Sequence, residues 1–323
     1  MKILFADKFP AAQQAALAAE HTLTNSPALD EHSLVTAIGD ADILVVRSTK
    51  VSAEAIDAAT QLKLIIRAGA GTNTIDKAHA AEKGIAVCNT PGKNAIAVAE
   101  LAMGLMLAAD RHIADATQDL KSGQWNKKRY SVADGIYGKS VGIIGFGAIG
   151  QAFAERALAF GMSIHTVIRT AQGSSSLAQQ RLTDQFPGLT QHPDLASLAR
   201  HCDVISLHVP FNEHTKQLID AEFLSQMKPN SLLINTSRGE VVDEAALLAA
   251  LDEKPIKAAL DVFCNEPSAA TGEFNSPLAS HPQVIGTHHI GASTEQAQTA
   301  VADNVVEIIA SFANHQQFLN RVN

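Results

Sequence analysis

Three polar residues stand just past three successive short apolar runs in the last third of the chain. Arg238 follows SLLIN in Asn235-Thr236-Ser237-Arg238-Gly239. Glu266 follows IKAALDV in the stretch Asp261 to Pro267, and His289 follows QVIGT in His288-His289-Ile290-Gly291. An arginine fork can clamp a carboxylate together with a neighbouring carbonyl. A histidine can give a proton to a carbonyl oxygen as that carbon is reduced, or take it back in reverse. A glutamate beside the imidazole favours the imidazolium and fixes the ring. A lone loop histidine is usually structural. An Arg, a Glu and a His at successive strand ends point instead to hydride transfer at a 2-keto acid.

A second group of residues suits the hydride carrier. Gly145-Phe146-Gly147-Ala148-Ile149-Gly150 follows VGII and opens the helical stretch AFAERALAF. Alone, GxGxxG is no more than a glycine-rich turn. Between a strand and a helix, Gly145 permits the tight turn, Gly147 admits a pyrophosphate to the backbone, and Gly150 lets helix and strand pack closely. The expected cofactor is therefore NAD(P). An acid at the end of the next strand would bind the adenosine ribose hydroxyls. Here that position is Ile168, followed by Arg169 and Thr170, with Ser174 to Ser176 nearby. Without a carboxylate to repel a 2′-phosphate, and with an arginine to meet it, NADP(H) is expected over NAD(H).

These residues need strands whose carboxyl ends meet, because open α/β sheets bind ligands there. Six runs after residue 139 read as such strands: 140–144, 163–168, 203–208, 231–235, 256–262 and 283–287, with helical patterns between them. They predict a doubly wound Rossmann sheet. The first ~95 residues alternate KILFA, DILVV, LKLII and IAVCN with Ala-rich helical stretches, which implies another parallel sheet. Asn94 to Lys121 reads as one long helix, buried along its apolar first half. Residues 122–137 read as an extended loop in which Trp125 packs and Lys127, Lys128 and Arg129 are solvated, unless they attract a phosphorylated substrate. The tail from Ser293 onward reads as a helix capped by Ser293 or Thr294. The connection 171–193 has no assignable role. The expected organisation is α/β with two domains: 1–98 with 292–323 as a flavodoxin-like substrate domain, and 99–291 as the dinucleotide-binding domain.

Composition excludes several classes. A chain of 323 residues suits about two domains. A net charge of −8 lacks the basic footprint of a nucleic-acid binder. With 46% apolar residues the chain can bury large cores. The longest apolar stretch, Ala95 to Ala109, is interrupted by Glu100 and is too short for a bilayer. The opening MKILFADKFP is a strand, too short for a signal-peptide core. Cys88, Cys202 and Cys264 are scattered, as expected for reduced thiols in a cytoplasm. His288 and His289 have no third ligand at metal spacing, so no metal is expected.

Along almost its full length the chain resembles the D-isomer-specific 2-hydroxyacid dehydrogenase family. The resemblance rests on GFGAIG, SLHVP, LLINTSRGEVVDEAAL, ALDVFCNEP and HHIGAST, in that order. VVRSTK, IIRAGAGTNTID, NTPGKNAIAVAELAMGL and GQWNKKRY look most like its D-3-phosphoglycerate dehydrogenases. The resemblance implies that His289 is the acid/base, Glu266 its partner and Arg238 the substrate arginine. It implies that Asp261 contacts the nicotinamide amide, and that Ala148, Ile149, Val209, Thr236, Ser237 and Ala292 line the cofactor. It also implies that the turn Gly69 to Thr72, with Ala70 and Gly71, offers N–H groups to the substrate carboxylate, that Arg47 faces the substrate, and that the Rossmann domain forms a homodimer.

Three features depart from the family pattern. Ile168 replaces the usual Asp, His288 stands where a Pro is common, and no regulatory domain is expected after the last helix. D-3-phosphoglycerate dehydrogenase leads among activities, ahead of NADPH-dependent hydroxypyruvate/glyoxylate reductase. A formate dehydrogenase is disfavoured, since that reaction pairs the His with a Gln. A cofactor-sensing scaffold similar to the C-terminal-binding corepressors is the rival from another class.

Overall fold

The computed structural model describes residues 1–167, 182, 184–267 and 271–323. The described chain divides into two compact units, Met1–Asn94 with Ala292–Asn323, and Ala95–Gly291. The sequence boundary at residue 98 falls one turn inside the first helix of the second unit.

In the first unit, five parallel strands alternate with helices: β1 (Lys2–Phe5), α1 (Ala11–Ala18), β2 (Thr22–Asn25), α2 (Glu31–Ala37), β3 (Ile43–Val46), α3 (Ala53–Ala58), β4 (Leu64–Arg67), α4 (Lys77–Glu82) and β5 (Ala86–Asn89). The order β2-β1-β3-β4-β5 is flavodoxin-like. The strand ILVV of β3 is buried throughout, as a parallel strand covered on both faces must be. Asp30, Ser52 and Asp76 cap α2, α3 and α4 by accepting N3 backbone N–H groups. The edge strand β2, TLTN, is mostly exposed and carries no apolar run, so no periodicity in the sequence marks it.

The second unit begins with two helices, α5 (Ala95–Arg111) and α6 (Ile113–Lys121), where the sequence suggested one. The break is His112, whose φ of 51° is left-handed and cannot continue a right-handed helix. The Lys257 ammonium lies 3.3 Å from the Ala109 carbonyl and so helps satisfy the end of α5. Then follow β6 (Ser140–Ile144), α7 (Ala148–Ala159), β7 (Ser163–Thr166), β8 (Thr190–Gln191), α8 (Leu195–His201), β9 (Val204–Leu207), α9 (Ala221–Gln226), β10 (Leu232–Asn235), α10 (Glu244–Glu253), β11 (Lys257–Leu260) and β12 (Val284–Gly286). All pair in parallel in the order β12-β11-β10-β9-β6-β7-β8. The order reverses between β6 and β9, beside the glycine motif, which is where such sheets bind ligands. The seventh strand, β8, has two exposed residues and was too short to read.

Each face of this sheet carries its own core. On one, Met103, Met106 and Phe153 pack against Val141, Ile143 and Ile234. On the other, Leu198, Phe223 and Leu247 pack against Ile205, Leu233 and Leu260. Each such side chain contributes about 1.5–3 kcal/mol on burial. The last helix, α11 (Glu295–His315), belongs to the first unit, where Val305, Ile308 and Phe312 join Ile3, Phe5 and Ile43. Thr294, not Ser293, is its N-cap. Among the described residues no helix is long and apolar enough to cross a membrane.

Candidate active site

The turn from β6 to α7 has the geometry a dinucleotide needs. Gly145 has a φ of 100°, and a Cβ there would lie 2.4 Å from the His208 carbonyl oxygen. A Cβ on Gly150 would lie 2.2 Å from the Gly145 carbonyl oxygen. Gly147, by contrast, faces open space. No side chain caps the start of α7, and Gly147 and Ala148 at that start are exposed, so its first N–H groups face outward with the positive end of the helix dipole. At the ends of β9 and β10, His208 Nδ1 and Thr236 Oγ1 are buried without a hydrogen-bond partner among the described residues. Burial pushes the His208 imidazole down to about 3 and keeps it neutral. An uncapped helix start, an open glycine and unpartnered polar atoms along the same edge fit a bound nicotinamide dinucleotide. Ile168, Arg169, Thr170 and Ser174 to Ser176 lie outside the described residues.

Because β10, β11 and β12 are neighbours, the loops at their carboxyl ends bring Arg238, Glu266 and His289 together. His289 Nδ1 lies 2.7 Å from Glu266 Oε2. The other carboxylate oxygen of Glu266 accepts the Phe263 N–H at 2.8 Å. Burial works to raise the Glu266 pKa, but the bonds from His289 and Phe263, with the charges of His289 and Arg238, outweigh it. The group is held below its ordinary value. With Nδ1 engaged, Nε2 is the nitrogen left to meet a substrate, and the His289 side chain is 46% exposed. Arg238 is half-buried, in a loop held by Asn235. The Asn235 Nδ2 donates to the Arg238 carbonyl at 2.8 Å, and its Oδ1 accepts the Ser237 N–H and hydroxyl at 3.0 and 2.7 Å.

Asp261 has a role in this site that the sequence did not reveal. It is 1% exposed. Three successive N–H groups of the histidine loop end on it: His289 on its carbonyl, Ile290 on Oδ1 and Gly291 on Oδ2, each at 2.8 Å. The Thr287 hydroxyl adds a bond to Oδ1 at 2.6 Å. These bonds hold His289 at a φ of 52°, a left-handed conformation that a non-glycine residue adopts at some cost. The sequence shows a carboxylate after a strand. It does not show that the donors come from a loop nearly thirty residues on. Burial and the adjacent Glu244 push the Cys264 thiol up to about 12, which keeps it protonated at neutral pH.

In the first unit, Arg47 and the Ala70–Gly71 turn follow the carboxyl ends of the neighbouring strands β3 and β4. The Asp7 carboxylate accepts the N–H groups of Arg47, Ser48 and Thr49 at 2.6, 3.1 and 3.2 Å and so shapes that loop. Asn89 Nδ2 donates to the Ala70 carbonyl at 2.7 Å. Ala292 begins the returning segment directly after Gly291. Trp125 does not pack its loop as expected: it is 82% exposed, because residues 122–135 lie outside both cores of the second unit, and the chain rejoins a core only at Ile136. Arg129 is not merely solvated, since it pairs with Asp119 at 3.3 Å and Asp115 at 3.6 Å on α6.

Known proteins resemble this chain in sequence and in fold. The family described as D-isomer specific 2-hydroxyacid dehydrogenase, NAD binding domain, matches residues 103–291. A hydroxypyruvate reductase of Thermotoga maritima is 44% identical over 292 residues, 90% of each chain. A D-3-phosphoglycerate dehydrogenase of Methanocaldococcus jannaschii is 43% identical over 297 residues. That match covers 91% of this chain and 54% of the relative, so the chain spans about half that relative's length. Among solved structures, an NADPH-dependent glyoxylate/hydroxypyruvate reductase from Sinorhizobium meliloti, in complex with NADP and malonate, superposes with a TM-score of 0.83. Its identity is 30%, over 99% of this chain and 96% of that one. With a family match over more than half the chain and 44% identity along nine-tenths of it, this protein belongs to the D-isomer specific 2-hydroxyacid dehydrogenases, oxidoreductases that use a nicotinamide cofactor.

Proposed function

We propose that the protein interconverts a small D-2-hydroxy acid and its 2-keto acid, with D-3-phosphoglycerate and 3-phosphohydroxypyruvate as the leading pair. The observation that carries this reading is the His289–Glu266 bond at 2.7 Å beside the Arg238 loop. When bound, the reduced nicotinamide supplies the hydride. Arg238 holds the substrate carboxylate and orients the C2 carbonyl. His289, its Nδ1 tied to Glu266, delivers a proton from Nε2 to the carbonyl oxygen, and in oxidation takes it back. Glu266 holds the ring and offsets the imidazolium charge. We assign the glycine turn, Ala148, Ile149, Val209, Thr236, Ser237 and Ala292 to the cofactor, and Arg47 with the N–H groups of Ala70 and Gly71 to the substrate, from the family resemblance of the motifs that contain them.

Hydroxypyruvate and glyoxylate are the second substrate reading, favoured by the match along 90% of the Thermotoga reductase. NADP(H) is the preferred cofactor, from Ile168 and Arg169 in the sequence, and the similar Sinorhizobium reductase carries NADP. A homodimer through the second unit is supported by α6, which buries none of its residues, and by the large exposed side chains of Tyr137 and Trp125 in the segment after it. A keto-acid panel run with NADH and NADPH tests the reading. Turnover of 3-phosphohydroxypyruvate above hydroxypyruvate, with NADPH at least as good as NADH, is expected. No turnover with any keto acid refutes the enzyme reading and leaves a cofactor-sensing scaffold. If the phosphate is recognised by the basic run, replacing Lys127 and Lys128 by Ala weakens the phosphorylated substrate more than hydroxypyruvate.

A further inference from the structure

The β7–β8 edge of the second sheet, on the far side from β10, β11 and β12, carries a cluster that the reaction does not use. His165 lies in β7, His192 directly after β8, and Cys202 at the end of α8. His165 Nδ1 faces His192 Nε2 at 3.0 Å. The outward nitrogens are each held by a hydroxyl: His165 Nε2 by Ser163 at 3.1 Å, and His192 Nδ1 by Ser197 at 3.0 Å. One ligand atom from each of His165, His192 and Cys202 lies within 4.8 Å of the other two. His165 and Cys202 are buried. A third imidazole, His201, centres 5.2 Å from His165 and 5.3 Å from His192.

We propose that His165, His192 and Cys202 form a binding site for one borderline-soft divalent cation, zinc or its cobalt analogue, with water or His201 in the fourth position. Two nitrogens and a sulfur suit that class of ion. Metal bonds of about 2.0–2.3 Å in a tetrahedron separate the ligand atoms by roughly 3.3–3.6 Å. The facing nitrogens therefore open by a few tenths of an ångström, and the sulfur closes in by at most about 1.2 Å from the 4.8 Å bound.

The hydroxyls on the outward nitrogens do what outer partners of metal-bound histidines do: they fix the ring and its tautomer. In the metal-free pair, one inward nitrogen carries the hydrogen of the 3.0 Å bond. On binding, that hydrogen moves to the outward nitrogen of the same ring, whose serine turns from donor to acceptor. The one proton released to solvent comes from the Cys202 thiol. Burial supports ligation by the imidazoles. It holds His165 down at about 4, with His192 also below its ordinary value, so both rings are neutral at neutral pH. The same burial pushes the Cys202 thiol up to about 12, so the metal has to displace that proton. The site would clasp β8, which pairs with β7 through only two residues, to β7 and α8.

Titration of the chelator-stripped full chain with cobalt(II) chloride tests this. The expected result is one equivalent bound, tetrahedral d–d bands with a thiolate-to-cobalt charge-transfer band, and displacement by zinc. Cys202→Ala removes the charge-transfer band, and His192→Gln weakens cobalt binding at least ~10-fold. A wild-type chain with no charge-transfer band, or a band that survives in Cys202→Ala, overturns the proposal. The second outcome would place the metal at another thiol. Far-ultraviolet circular dichroism checks each variant. Should Cys202→Ala fail to fold, His192→Gln at a half-buried position carries the decision, and unchanged affinity there refutes the site.

Discussion

Replacing Asp261 by Asn tests whether the histidine loop is set by one buried carboxylate. The asparagine oxygen can still serve Thr287 and Ile290 from the Oδ1 position. Its NH2 group then meets the Gly291 N–H that Oδ2 accepts at 2.8 Å. One charge-assisted bond, worth about 1.5–3 kcal/mol, is lost and a buried N–H is left unpaired. The two surviving bonds drop to neutral strength, about 1 kcal/mol less each. The expected loss is roughly 3–5 kcal/mol, more than the ~1–2 kcal/mol that a left-handed non-glycine residue costs, so His289 has reason to relax from its φ of 52°. Thermal unfolding followed by circular dichroism should show a fall in Tm of roughly 6–20 °C, at 2–4 °C per kcal/mol for a unit of this size. With the ring displaced from Glu266, kcat for keto-acid reduction should fall at least ~10²-fold, the lower end of what general acid catalysis supplies. A variant with Tm within about two degrees of wild type and kcat within about twofold would refute the argument at the magnitudes used.

Three more outcomes are expected. Glu266 is held below its ordinary pKa and so is ionised throughout the neutral range. Glu266→Gln removes the carboxylate bonded to the His289 ring at 2.7 Å, and kcat for keto-acid reduction should fall by part of the ~10²–10⁴-fold that general acid catalysis supplies; an unchanged kcat separates the two residues. Arg238→Lys keeps the charge and loses the fork, so kcat/KM for 2-keto acids should fall strongly while cofactor Kd, measured by fluorescence titration, stays near wild type. His208, pushed down to about 3 by burial, refuses the proton that the unfolded chain accepts near pH 6.5. Stability from this group is whole above that pH and declines as pH falls, by roughly 2 kcal/mol at pH 5. His208→Gln should flatten the acid slope in urea unfolding, and coincident slopes would exclude His208 as its source.

The sequence exposed those parts of the fold that depend on local pattern. Buried parallel strands are continuous apolar runs, so β3, β6 and β9 could be read directly. The edge strands β2 and β8 could not, because a strand with one solvent-facing edge needs no such run. The division of α5 from α6 rests on the left-handed backbone of one histidine, which no helical period reveals. In the candidate site, Arg238, Glu266 and His289 were legible because each lies in the loop that follows the carboxyl end of its strand. The support from Asp261, Asn235 and Asp7 was not, since it consists of bonds to backbone N–H groups, and every residue type has those. The cluster of His165, His192 and Cys202 matches no ligand motif; its members meet only once β7, β8 and α8 are in place.

Gly239 directly follows Arg238, and a Cβ there would lie 2.1 Å from the carbonyl carbon of Phe263 and 2.4 Å from the Cys264 nitrogen. The loop bearing the guanidinium therefore abuts, main chain to main chain, the loop bearing Glu266. The spacing between the group that would grip a substrate and the group that steadies the proton donor is set by peptide against peptide. Laboratory evolution toward new keto acids should then leave Gly239 untouched and vary the pocket walls around it. A library that randomises this position should return almost nothing but glycine, whatever substrate is used for selection.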